Sequence, residues 1–321
     1  MTDPKGTRMR AVVVTDFHTE PRLTDLPIPE PGPGEVLVRL AAAGVNPFDW
    51  KVIDGAMRDA VHHAFPIVLG SDGAGTVERV GDEVGFEPGE RVFGQFLDVE
   101  QGRGSYAEYA IAKAAKLARL HPDLSFETAA ALPTAGAAAH DFIEGAGVGP
   151  GQTLLVNGAS GGVGQAAVQL AASQGVRVIA TTDPDTADYL RELGAAETVD
   201  FTEGPTADQV AEAHPGGIDA VVDLVSVPGE IEPIAALLKP NGVLVSSNGA
   251  ADPEVLASRG LRGANLSAHA RPATLASLAE SVAHGQLRIR IDFQVRLEDA
   301  AEALARSKAG EARGKTVLTI A

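Results

Sequence analysis

The spacing of apolar residues changes twice along the chain, and those changes divide it. Up to about residue 120 they fall in short β-branched runs: MRAVVVT at 9–15, EVLVRLA at 35–41, AGTVERV at 74–80, ERVF at 90–93 and SYAEYAI at 105–111. With glycine and proline between the runs, this texture predicts a mainly β module of the barrel or partly open type. The connecting LPIPEPGPGE at 26–35 cannot be helical, because proline has no amide to donate and its ring collides with the preceding turn.

From residue 126 helical and strand periods alternate. Helices are predicted at 126–133, 134–146, 163–175, 185–193, 206–213 and 229–238, and strands at 153–158, 176–182, 197–201, 218–225 and 242–248. Strands that are apolar on both faces and separated by helices specify a parallel, doubly wound sheet. The last stretch returns to the first texture, with helices at 272–284 and 298–309 and strands near 287–295 and at 316–321. The fold class is therefore α/β: a β-rich domain from 1–125 and 270–321, interrupted by a Rossmann dinucleotide-binding domain at 126–269.

Strand 153–158 runs into the turn Gly158, Ala159, Ser160, Gly161, Gly162, Val163, Gly164, which opens helix 163–175. Strand, glycine turn and helix in that order form the setting of a dinucleotide fingerprint. Gly161 lets the backbone approach a pyrophosphate, Gly164 lets the helix pack closely on the strand, and the helix N-terminus offers amides to the anion. Ala159 stands where the first glycine of the usual G-x-G-x-x-G falls, with Gly158 one residue earlier.

That stretch, LVNGASGGVGQAAVQLA, together with AAAGVNPFDWK and GSDGAGTVERVGDEV upstream and ARGKTVL near the end, resembles zinc-independent medium-chain dehydrogenases/reductases of the quinone oxidoreductase (zeta-crystallin-like) type. The resemblance covers nearly the whole chain. It implies a GroES-like catalytic domain, a Rossmann domain, and NADPH reducing a quinone or an α,β-unsaturated carbonyl compound. It also implies that Asn46 lies near the nicotinamide, that Thr134 of LPTAG faces the cofactor, and that the members form homodimers joined by Rossmann sheet edges, here strand 242–248.

Zinc-dependent alcohol dehydrogenases of the same superfamily carry a cysteine, a histidine in Gly-His-Glu, and a second cysteine. Here those places hold Asn46, Gly70-Ser71-Asp72, and a position at or near Thr134; segment 94–111, where a structural zinc lobe would lie, has no cysteine, nor has the chain. None is a competent zinc set, so the expected metal content is none. Without a Lewis acid, alcohol oxidation loses the group that acidifies the hydroxyl, whereas charge developing on a quinone or enone oxygen can be met by hydrogen-bond donors. Asn46 and Lys51 are the candidate catalytic donors, although Asn46 also suits a turn before Pro47 and most lysines are solvated. Trp50, Phe93 and Phe96 are candidates to wall the substrate, with core packing as the competing role. Ser246, Ser247 and Asn248 would approach the nicotinamide through their backbones. His62 and His63 are adjacent in a loop and take no part, since the proton can come from solvent.

NAD-preferring Rossmann folds end the second strand with an acid that binds the ribose. Thr181 and Thr182 occupy that place and favour NADPH over NADH, although Asp183 and Asp185 follow closely; Lys308 and Arg313 are distant candidates for the 2′-phosphate. The formal charge of −17 argues against nucleic-acid and membrane partners. With no secretory signal and no long apolar run, the expected location is cytoplasmic. Two rivals share the cofactor loop: a stand-alone enoyl reductase of a polyketide or acyl pathway, and a non-catalytic NADPH-binding protein of crystallin type.

Overall fold

A computed structural model describes residues 7–320, so Ala321, the last residue of the predicted closing strand, lies outside the described residues. The chain divides into two units, one built from residues up to Thr134 and from Ala270 onward, the other from Ala135–His269.

In the first unit β1 (Arg8–Val14), β2 (Arg22–Pro27) and β3 (Glu35–Val45) precede a short helix, α1 (Pro47–Ile53). Then come β4 (Ile67–Val68), β5 (Asp72–Val80), β6 (Arg91–Gln95), β7 (Tyr109–Lys113), β8 (Leu117–Arg119) and α2 (Phe126–Ala130). β1 is the centre of a three-stranded sheet, β2-β1-β4, and β3 and β5 are the middle of a larger one. Val36, Val38 and Leu40 alternate inward on β3 and meet Val77, Val92 and Phe96 in one core. Each fully buried aliphatic side chain there contributes about 1.5–3 kcal/mol.

α3 (Pro133–Ala146) leads into the second unit. There β9 (Thr153–Asn157), α4 (Gly162–Ser173), β10 (Arg177–Thr182), α5 (Pro184–Glu192) and β11 (Glu197–Asp200) follow in turn. They are succeeded by α6 (Thr206–Ala213), β12 (Ile218–Asp223), α7 (Glu232–Ala235), β13 (Leu238–Ser246), α8 (Pro253–Ser258) and β14 (Arg262–Asn265). All six strands are parallel, in the order β11-β10-β9-β12-β13-β14, so the chain winds outward both ways from β9 and β12. The switch point falls at the carboxyl ends of these strands, where open α/β sheets bind ligands. The chain returns to the first unit with α9 (Pro272–Ala283), β15 (Ile291–Arg296), α10 (Ala300–Lys308) and β16 (Lys315–Thr319). β16 pairs antiparallel with β3, Thr316 opposite Val45 and Thr319 opposite Ala42.

Several expectations need correction. α2 packs on β3 and β5 and belongs to the first unit, so the boundary falls after Thr134 and not at 126. Helix 229–238 shrinks to four residues, because Gly229 takes φ +93 and Leu238 already belongs to β13. Strand 242–248 is not the sheet edge: β14, missed in the sequence, pairs along it and takes the outside position. SYAEYAI forms strand only from Tyr109.

Candidate functional site

The glycine turn leaves the carboxyl end of β9 and opens α4. Gly158 has φ +94, a conformation that suits glycine, and its amide donates to Thr181 Oγ1 at 2.7 Å. The first helical bond of α4 runs from the Gln165 amide to the Gly161 carbonyl at 2.9 Å, so the amides of Gly162, Val163 and Gly164 lie outside the helical ladder. A Cβ at Gly164 would meet the Gly158 carbonyl oxygen at 2.3 Å and Ala159 Cα at 2.5 Å. At Gly161 it would meet nothing nearer than 3.8 Å. Gly164 is therefore required by the fold, while the space at Gly161 is open, as the approach of a pyrophosphate to a helix N-terminus requires. This cradle fits a dinucleotide.

The side chains around the turn hold its shape. Ala159 is fully buried, and Ser160 Oγ faces Thr186 Oγ1 at 3.1 Å. Thr181 and Thr182 are 2% and 1% exposed, and Thr182 donates to the Asp183 carbonyl. Both threonine hydroxyls are thus engaged inside the protein and are not presented to a 2′-phosphate, which corrects the role read for them. Asp183 caps α5, its Oδ1 accepting the Thr186 amide at 3.1 Å and hydroxyl at 2.8 Å. Ser246 is fully buried, its Oγ accepting the amides of Asn248 and Ala250; the Asn248 side chain donates to the Leu224 carbonyl.

The first unit contains a second concentration of polar groups, which includes Asn46, Ser71, Asp72 and Thr134, the residues set against zinc ligands in the sequence. Asn46 is 2% exposed. Its Nδ2 donates to Asp72 Oδ2 at 2.9 Å, and its Oδ1 accepts a hydrogen bond from Lys315 Nζ. Thr134 closes on the same carboxylate, its amide to Oδ2 at 2.9 Å and its hydroxyl to Oδ1 at 2.6 Å, and accepts from Gln95 Nε2 at 3.2 Å. Asp49 accepts from Ser71 Oγ at 2.6 Å, Tyr106 OH at 2.8 Å and the Asn46 amide at 2.8 Å.

Two buried carboxylates and one buried ammonium are thus linked through Asn46. Burial pushes the Asp49 carboxyl up to about 6, against the pull of its three donors, and the Asp72 charge pushes the same way. Burial also raises Asp72 and lowers Lys315, each opposed by the other's charge, and it raises the Tyr106 hydroxyl well above its ordinary value. The donor set does not fit zinc: the Asn46 amide, three hydroxyls and two carboxylates are already engaged with one another, the amide also holds an ammonium, and no thiolate or imidazole is among them.

Trp50 and Lys51 stand beside this cluster on α1. Lys51 is half-buried, burial lowers its pKa, and its ammonium lies 5.7 Å from the Trp50 ring centroid. Lys308, whose Nζ pairs with Asp54, lies 5.5 Å from the same ring. Phe93 and Phe96 are 0% and 2% exposed. They are packing residues of the first unit, since a side chain walled in by its own core has no face to offer a substrate. Asn46 has its amide engaged within the cluster, so its place in the structure is that of a scaffold. His63 packs edge-on to Phe17, with ring centroids 5.0 Å apart.

Lys315, Asp49 and Tyr106 were not singled out by sequence reasoning. A lysine inside the apolar run KTVLT was the available signal for the first, and the Asn-Pro-x-Asp start of a capped helix for the second.

Two family models match the chain. A family model described as an alcohol dehydrogenase GroES-like domain matches residues 32–122, and one described as a zinc-binding dehydrogenase matches residues 193–318. The chain is 33% identical over 317 residues to the chloroplastic quinone-oxidoreductase QR1 of Triphysaria versicolor, covering 92% of each. It is 34% identical over 256 residues to the 2-methylene-furan-3-one reductase of Solanum lycopersicum, 76% of this chain and 63% of that one. A mycobacterial protein solved in complex with NADPH superposes with a TM-score of 0.85 at 28% identity, covering 97% of this chain and 100% of that one. A GroES-like unit and a doubly wound unit with a dinucleotide cradle define a nicotinamide-type oxidoreductase. The chain belongs to the medium-chain dehydrogenase/reductase family, among its quinone oxidoreductases.

Proposed function

We propose that the protein transfers a hydride from NADPH to a quinone, or to the C=C of an α,β-unsaturated carbonyl compound, without zinc. The bound nicotinamide would supply the hydride. The turn Gly158–Gly164 and the amides opening α4 bind the pyrophosphate. Lys51 donates to the substrate oxygen on which charge develops, a contribution of ~2.7–4 kcal/mol for one well-placed donor. Trp50 offers the substrate a flat apolar face. Asn46 and Thr134 keep the cluster beside α1 rigid.

The observation that carries this reading is the closed cluster around Lys315: where a metal would be ligated, the donors are engaged with one another and with an ammonium. NADPH over NADH is supported by the mycobacterial complex and by Asp183, whose carboxylate is turned into the cap of α5. We further read the protein as a cytoplasmic homodimer. β14, one of the two outermost strands of the second unit's sheet, offers an edge to a second copy.

Stopped-flow mixing of NADPH-loaded protein with a panel of quinones, enones and enoyl thioesters tests the reaction class. Oxidation of NADPH by a quinone or enone, at a rate that a chelator leaves unchanged, is the expected result. Turnover of thioesters alone would assign the enoyl-reductase role. Quenching of Trp50 by NADPH with no turnover on any substrate would sink the reading in favour of a binding protein.

A further inference from the structure

Lys315 opens β16, whose next three residues, Thr316, Val317 and Leu318, are all buried. An ammonium placed there without partners would cost several kcal/mol, so its surroundings have to answer it. They do so at one point in the chain: Nζ donates to the Val45 carbonyl at 2.8 Å and to Asn46 Oδ1. Register makes this possible, since β16 runs antiparallel to β3 with Thr316 opposite Val45.

The contact settles how Asn46 is oriented. With Oδ1 on the ammonium, Nδ2 is left to face Asp72; the flipped amide would set two donors against each other and oxygen against carboxylate. Asn46 is also the residue before α1. Its carbonyl accepts the Asp49 amide at 3.0 Å and its amide is held by Asp49 Oδ2. Trp50 and Lys51 sit on that helix, one turn further on.

We propose that Lys315 is a positioning residue: its buried ammonium pins Val45 and Asn46 at the entrance of α1 and so sets how α1 presents Trp50 and Lys51. The part concerning Lys51 rests on the hydride-transfer reading above, whereas the pinning of α1 does not.

The test is Lys315→Met, which keeps a side chain of similar length without charge or donors. Because Trp50 is the sole tryptophan, its emission maximum and its quenching by acrylamide report on α1 with no catalysis required. The variant is expected to bind NADPH within about twofold of wild type, since the glycine turn belongs to the other unit. Its kcat should fall about tenfold or more with little change in substrate KM, the pattern of a donor misplaced for the transition state. Trp50 emission should shift.

Should Lys315→Met fail to fold, Lys315→Met combined with Asp72→Asn removes opposite charges together and carries the same expectations. Wild-type kcat or wild-type Trp50 emission in a folded variant would overturn the proposal, as would NADPH affinity falling in step with kcat. If the wild-type protein turns over no quinone or enone, the functional reading fails by itself; the Trp50 signal then decides the pinning of α1, and an unchanged spectrum overturns it.

Discussion

Asp49 is wholly buried and accepts three hydrogen bonds, yet its pKa stands near 6 because desolvation outweighs its donors. Its folded value exceeds the ordinary 3.8, so between about pH 4 and 6 the folded state holds a proton that the unfolded state has released. Stability from this group is full below that window and falls as pH rises through it, by about 3 kcal/mol in total. Tyr106→Phe removes a donor that the carboxylate needs more than the neutral acid does. It should destabilise the protein by about 1–3 kcal/mol at pH 8 and by less at pH 5, as read from urea unfolding at the two pH values. An equal loss at both would mean that Asp49 does not titrate there. Asp49 carried a local signal in Asn-Pro-x-Asp, but its pairing with Tyr106 was not legible in the chain: the two are 57 positions apart, and no local period carries such a pairing.

At the scale of elements, the strand, turn and helix around Gly158–Gly164 form an anion cradle whose two key glycines have different jobs. Gly164→Ala drives a methyl into the Gly158 carbonyl and should destabilise the second unit as well as weaken NADPH binding. Gly161→Ala meets no protein atom nearer than 3.8 Å. It should leave the melting temperature within about 2 °C, a surface-like change, and still raise the NADPH dissociation constant about tenfold or more. Calorimetric titration beside thermal melts checks both, and retention of full affinity by Gly161→Ala would place the phosphates elsewhere. This element was readable in advance because strand, glycine spacing and helix are contiguous. α1 and β14 were not: seven and four residues are too few to show a period, and each is fixed by what it packs or pairs against.

At the scale of the whole molecule, the −17 charge governs how copies meet. Two such chains repel, and salt screens that repulsion as the Debye length falls from about 30 Å at 0.01 M to about 8 Å at 0.15 M. If the edge β14 joins a homodimer, sedimentation should give twice the 33.0 kDa chain mass, with the dimer tightening as salt is added; a monomer at all salt concentrations would reject it. The sequence by itself determined what is periodic or contiguous: a β-rich module, a parallel α/β unit inserted into it, a cofactor turn, and the lack of thiolates for zinc. Only the tertiary structure decided that Lys315, 269 positions from Asn46, supplies a positive charge to the buried cluster, that Phe93 and Phe96 belong to the core, and that β14 rather than β13 is an edge strand. Burial, pairing across strands and the balance of buried charge arise from which distant segments meet, and a linear pattern holds no record of that.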